Sequence, residues 1–233
     1  MTKLEKFLYD TVKEIMSAWE EQDIYAVSFF VYSNEMFEFR EHNNVSTFAI
    51  SYNTESDCEN AGPHAEERWN YAFWRQEEWH IIDPEENSLG MKLLFDWYRE
   101  QGIGNVGYEG PDTPDGPVGF PELVALAGKI ARQLQEEGFL REKFGRPIPI
   151  LIHDLEYTDC TWKATEYANP NGEAADFLHG NWTGSEPAIP FTNPASEFAA
   201  QILSDPQKFA KLSAMSPGLS PDYLREMLKK FSE

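Results

Sequence analysis

The stretch from Ile24 to Tyr32, Ile-Tyr-Ala-Val-Ser-Phe-Phe-Val-Tyr, constrains the fold of this chain more than any other. It is nearly continuous in apolar and aromatic residues and rich in β-favouring side chains. Its length suits a buried central strand better than a helix. Ser33-Asn34-Glu35 follows as turn chemistry. Met36 to Arg40 then alternates, with Phe37 and Phe39 on one side and Glu38 and Arg40 on the other. After a second turn at Glu41-His42-Asn43-Asn44, Val45 to Tyr52 reads as another strand. Short connections between such strands predict an antiparallel meander.

A sheet of this kind must bury its apolar face against something, and the flanking sequence supplies helices. Leu4, Phe7, Leu8, Val12, Ile15, Met16 and Trp19 form one stripe at helical spacing. Thr2 and Glu5 fit a capping box at its start. Asn87 or Ser88 suits the cap of a helix carrying Leu89, Leu93, Leu94, Trp97 and Tyr98, which ends near Gly102. Gly102 to Gly119 is rich in glycine and proline and reads as a long loop. Pro121 opens a third helix with Leu123, Val124, Leu126, Ala127, Ile130, Ala131 and Leu134 on its apolar side. Arg146-Pro147 leads into a strand from Ile148 to His153. Helices are expected over 172–179, 195–203, 206–212 and 221–231, the last three each started by a capping residue and proline. Between Glu55 and Glu67 the chain is acidic, helical or irregular. Trp69 to Trp74 reads as a fourth strand, although Trp69 and Phe73 also fit helical spacing. The expectation is an α+β fold: a central, mainly antiparallel sheet packed by helices, with a helical C-terminal region. It forms a single domain over 1–233, with a sheet-containing core over 1–155 and a mostly helical extension over 156–233.

Charge limits the partners. Forty acidic residues against nineteen basic ones leave a formal charge of -21. Nucleic acid and anionic membranes both require clustered cations, so both are excluded as expected partners. Seven Trp, ten Tyr and sixteen Phe give far too much to bury for a disordered chain. Cys58 and Cys160 match no metal or redox spacing, the first residues are polar and charged, and no apolar run approaches the roughly 20 residues of a membrane span. These features predict a cytoplasmic protein with free thiols, and no metal or cofactor is expected.

The most suggestive chemistry is His153-Asp154-Leu155-Glu156, at the end of an apolar strand. A histidine beside two carboxylates suits proton transfer or metal binding, so His153, Asp154 and Glu156 are the catalytic candidates. An ordinary strand end meeting solvent explains the same pattern, and no His-Glu-x-x-His spacing is present. Glu77-Glu78 and Asp83-Pro84-Glu85-Glu86 lack the alternation of a calcium loop. The glycines of 102–110 lack the lysine and hydroxyl ending of a phosphate loop, and no Gly-x-Ser-x-Gly elbow occurs. Trp69 to Trp79 holds three tryptophans among acids, which suits either core packing or an interface.

An amphipathic first helix, then Tyr25-Ala26-Val27-Ser28-Phe29, Asn53-Thr54-Glu55, and Arg68-Trp69 with Trp74 or Trp79, resembles a mostly bacterial family of domains of unknown function. The resemblance covers roughly residues 1–155. Similar small acidic proteins often serve as immunity proteins beside toxins. The resemblance implies Asn53, Thr54, Glu55, Arg68 and Trp69 as characteristic positions. Asn53 and Thr54 suit capping of the following segment, and Arg68 suits pairing with a carboxylate. With Trp74 and Trp79 these form the candidate binding set. The expected function is a non-enzymatic, immunity-like module that holds a basic protein. The alternatives are a hydrolase or metal-dependent enzyme using His153, Asp154 and Glu156, or a structural, oligomerising component.

Overall fold

The structure is a computed structural model and describes residues 1–33, 46–59, 61–84, 87–106, 116–180, 199, 202–215 and 219–232. The chain divides into two compact units, Met1–Thr183 and Gly184–Glu233.

In the first unit, α1 (Lys3–Ala18) begins with the capping box of Thr2 and Glu5 and buries Leu4, Leu8, Val12 and Met16. β1 (Ile24–Ser33) and β2 (Ser46–Thr54) pair antiparallel. β3 (Trp79–Ile82) adds to β2 antiparallel, and β4 (Ile150–His153) adds to β1 parallel. The order β3-β2-β1-β4 makes β1 a central strand, and the sheet is mainly antiparallel with helices packed on it. An α+β fold is therefore established. The expected strand Met36–Arg40 lies outside the described residues.

Trp69 to Trp74 is not a strand. Glu66–Trp69 forms a short helix, α2, and Tyr71–Phe73 a single 3₁₀ turn started by the Asn70 side chain, which accepts from the Ala72 amide. The alternation there comes from Trp69 and Tyr71 turning inward while Phe73 points out. The strand of this region comes later, at Trp79–Ile82.

The two faces of the sheet differ. Val27, Phe29, Val31, Phe48, Ile50, Ile150 and Ile152 face one side. There they pack against α1, α3 (Ser88–Glu100) and α4 (Phe120–Glu136). Gly90 of α3 lies so close to β3 that an added Cβ would sit 2.1 Å from the Ile81 carbonyl oxygen. The loop before α4 ends on Gly119, whose φ of 97° is a left-handed conformation open to glycine. Its carbonyl accepts the buried Tyr98 hydroxyl at 3.0 Å. Of the expected loop 102–119, residues 107–115 lie outside the described ones.

The opposite face carries Ala26, Ser28, Phe30, Ala49, Ser51, Asn53, Leu151 and His153. A register shift between Ile24 and Ala26 turns Tyr25 to this side as well. The segment from Glu55 to Glu78 covers it, joined by Tyr157, Trp162 and Phe177 of α7 (Ala175–His179).

After α4 come α5 (Phe139–Phe144), β4 and then α6 (Asp159–Ala168), a helix that the sequence reading does not contain. Two polar residues of this region serve β4. Thr165 accepts the Ile152 amide at 2.8 Å and donates to its carbonyl at 3.1 Å. Asn169 does the same for Ile150 at 3.0 and 2.8 Å, and its Oδ1 also accepts from Gln135.

In the second unit, Leu224 and Leu228 of α9 (Pro221–Ser232) form a small apolar cluster with Ala199 and Ile202, and Phe209 and Leu212 of α8 (Pro206–Met215) pack against it. Of the helix expected over 195–203, most lies outside the described residues. No helix among the described residues is long and apolar enough to cross a membrane.

Candidate functional site

The binding candidates from sequence gather, with one exception, on the aromatic and polar face. β2 runs into the tight turn that follows it. Thr54 donates to the Asp57 carboxylate at 2.6 Å and accepts the Asp57 amide, a local cap that fixes the turn. The next residue, Glu55, receives both ends of the Arg68 guanidinium at 2.6 and 2.9 Å, a bidentate pair from the end of β2 to α2. The guanidinium stabilises the carboxylate and holds Glu55 below the usual range. Its plane also lies 3.9 Å from the Tyr25 ring centre.

Tyr25 is the hub of this assembly. Its hydroxyl lies 2.5 Å from the Arg68 carbonyl, which can only accept, so Tyr25 donates there. The same oxygen therefore accepts from the Asn53 amide at 2.9 Å. That orientation fixes the Asn53 amide and leaves its buried Oδ1 without a partner among the described residues. Trp69 and Trp74 stand edge-on to the Tyr25 ring, at 5.9 and 6.0 Å. Trp74 Nε1 donates to the Arg68 carbonyl and Trp69 Nε1 to the Pro63 carbonyl. Both tryptophans are buried. Asn53, Thr54, Glu55, Arg68, Trp69 and Trp74 thus clasp the covering segment to the sheet. Their side chains hold the surface in place and present little of it themselves. Trp79 is the exception: it packs on Trp19 and Tyr52 in the core of the other face.

His153, Asp154 and Glu156 are not brought together in one cleft. The His153 ring is 1% exposed and lies in the buried aromatic layer on this face. Its Nδ1 lies 2.7 Å from the Asp154 carbonyl, an acceptor, so Nδ1 carries the proton. Nε2 is then the acceptor for the Ser28 hydroxyl at 2.7 Å. Burial destabilises the imidazolium and pushes the His153 pKa down to about 4. The rings of Tyr71, Phe30 and Tyr157 surround it at 4.5, 5.5 and 5.6 Å. Tyr71 in turn donates to Glu78, and Tyr157 donates to the Trp69 carbonyl. The Asp154 carboxylate accepts the amide of Leu155, and Glu156 is exposed. Among the described residues no three or more His, Cys, Asp or Glu are grouped to hold a metal ion.

Outside this sealed layer the covering segment does form an open feature. Asp57, Cys58, Glu59, Ala61, Glu67 and Phe73 line a concavity of about 470 Å³. Phe73 is 52% exposed there. Asp57 is held by Arg75 through Nε and Nη2 at 3.0 and 2.6 Å. Glu59 has a φ of 51°, a left-handed conformation that costs a non-glycine residue roughly 1–2 kcal/mol. None of Glu59, Glu67, Phe73 and Ser28 is a site candidate by sequence. Ser28 had one local signal, a hydroxyl inside an otherwise apolar and aromatic run. Glu59 and Phe73 had none, because backbone turns alone point them outward. Set against family models, curated proteins and solved structures, the chain matches none.

Proposed function

We propose that this chain is a non-enzymatic binding module of the immunity type, which takes a basic protein on the concave surface at Asp57, Glu59, Glu67 and Phe73. The observation that carries this reading is the pairing of exposed carboxylates with an exposed aromatic ring around one concavity. A lysine or arginine side chain of a partner gains from both, through charge attraction and cation–π contact. The clasp beneath, from Glu55–Arg68 to Tyr25, holds that surface in one conformation before binding, which lowers the ordering cost of association. The net charge of -21 adds long-range attraction for a cationic partner.

The test uses a panel of purified basic proteins, titrated against the full chain. Affinity for a partner is expected to fall about tenfold between low and physiological salt. Glu59→Gln, Glu67→Gln and Phe73→Ala should each weaken it, while Glu136→Gln on α4 should leave it unchanged. Equal loss in the Glu136 variant would mean attraction to bulk charge alone, and the reading would fail.

A second reading rests on the Ser28–His153 hydrogen bond, which has the orientation of a nucleophile and its base. Ser28 is fully buried, and aromatic rings close the layer above its partner. The pair therefore serves as packing with its polar groups satisfied. Covalent labelling of Ser28 by a fluorophosphonate probe would reverse this assignment.

A further inference from the structure

α4 and α6 lie against each other, and between them runs a groove of about 360 Å³. That volume falls at the lower end of small-ligand clefts, roughly 300–1,000 Å³. Val124, Ala125, Gly128, Ala164 and Tyr167 supply apolar floor and walls. Gly128 makes the floor deep, since an added Cβ there would meet Ala164 and Tyr167 at 3.6 Å.

Among the described residues that line the groove, the only charged ones are Lys129 and Lys163, one from each helix. Elsewhere in this unit Lys6, Lys13, Lys92, Arg68, Arg75 and Arg132 each reach a carboxylate, while Lys3, Arg141 and Lys143 make no ion pair among the described residues. Lys129 and Lys163 are exposed and make no ion pair among the described residues. With no carboxylate among the residues that line it, the apolar cleft has a cationic rim on a chain with 40 acids. A second copy of this chain would bring more carboxylates over a wide area, but a groove this small selects a compact occupant. An aliphatic tail fits the floor and a single anionic head fits the lysines.

We propose that the groove between α4 and α6 binds a small amphiphilic carboxylate, of the medium-chain fatty acid type, with its head between Lys129 and Lys163. The groove shares no lining residue with the acidic concavity, so the two proposals stand or fall separately. Cys160 also lines the groove and is partly exposed, whereas Cys58 is buried, so one thiol reports on occupancy.

The experiment titrates the full chain with decanoate, 1-decanol and decyltrimethylammonium, each below its micelle-forming concentration, by calorimetry. In parallel the rate of Cys160 alkylation is followed by mass spectrometry. Decanoate should bind and slow alkylation of Cys160, with decanol weaker by about tenfold and the cation weaker still. The double variant Lys129→Gln/Lys163→Gln should lose that tenfold preference and keep the decanol affinity. Ala125→Trp, at an exposed helix position, should fill the groove and abolish binding of both. Equal affinity for decanoate and decanol in the unaltered chain would overturn the proposal. So would decanoate binding that leaves Cys160 alkylation unchanged, or no decanoate binding at all.

Discussion

The two faces of the sheet solve the same packing problem with different chemistry. One face is covered by three amphipathic helices and held mainly by apolar burial, with Phe29 meeting Phe48 edge-on at 5.3 Å. The other is covered by a segment with only short helical turns, and is held by hydroxyl, amide and guanidinium contacts threaded between aromatic rings. Burial of apolar area is non-directional, so the first face tolerates rearrangement as long as volume is kept. Hydrogen bonds in a dry layer are directional and costly to leave unmade, so the second face has one conformation or none.

Four measurements break or sharpen that contrast. The largest effect belongs to the aliphatic face: Phe29→Ala should cost about 4 kcal/mol in chemical unfolding, by loss of burial and a cavity, while Phe29→Leu should cost far less. Next comes acid on the polar face. The His153 pKa in the folded chain, about 4, lies below the ordinary value of 6.5, so the unfolded chain binds the proton more readily. Stability contributed at neutral pH is therefore lost as pH falls from 6.5 to about 4, by about 3 kcal/mol at most. The unfolding free energy of the unaltered chain minus that of His153→Gln, measured across this window, should show that slope. A flat difference would mean that His153 is solvated.

A smaller effect is expected at the hub. Tyr25→Phe removes a donor to the Arg68 carbonyl and an acceptor for Asn53 without changing volume, at a cost of about 2 kcal/mol. Doubling it with Phe29→Ala should be additive, since the two residues face opposite sides of the sheet. The smallest effect has the opposite sign. Glu59→Asn, which suits a left-handed backbone better, should raise stability by about 0.5 kcal/mol while weakening capture of a basic partner. A gain in both would separate Glu59 from the proposed surface.

The contrast also explains what could be read from sequence. α1, α3 and α4 are apolar patterns with a period and the central strand is one apolar run, and patterns of both kinds survive whatever they pack against. The cover of the polar face has no period. Trp69, Tyr71 and Phe73 alternate like a strand, yet Asn70 and the Arg68 carbonyl fold them into turns through bonds that no spacing records. α6 escaped because its inward positions are threonine and alanine, so its apolar stripe is faint. For the candidate site, the Tyr25–Phe29, Asn53-Thr54-Glu55 and Arg68-Trp69 segments and His153 stood out, but which residue pairs with which did not. Tyr25 lies 43 residues from Arg68, and Ser28 lies 125 from His153. The register of β1 with β4 brings the second pair together, and the Glu55–Arg68 ion pair with the turns of the covering segment brings the first.

The paired contacts that Thr165 and Asn169 make with Ile152 and Ile150 have a consequence for assembly. These side chains occupy the donors and acceptors that an incoming extended peptide would need, in the manner of a neighbouring strand. Growth of the sheet past β4, into a fibre or by strand exchange, would first require peeling α6 away.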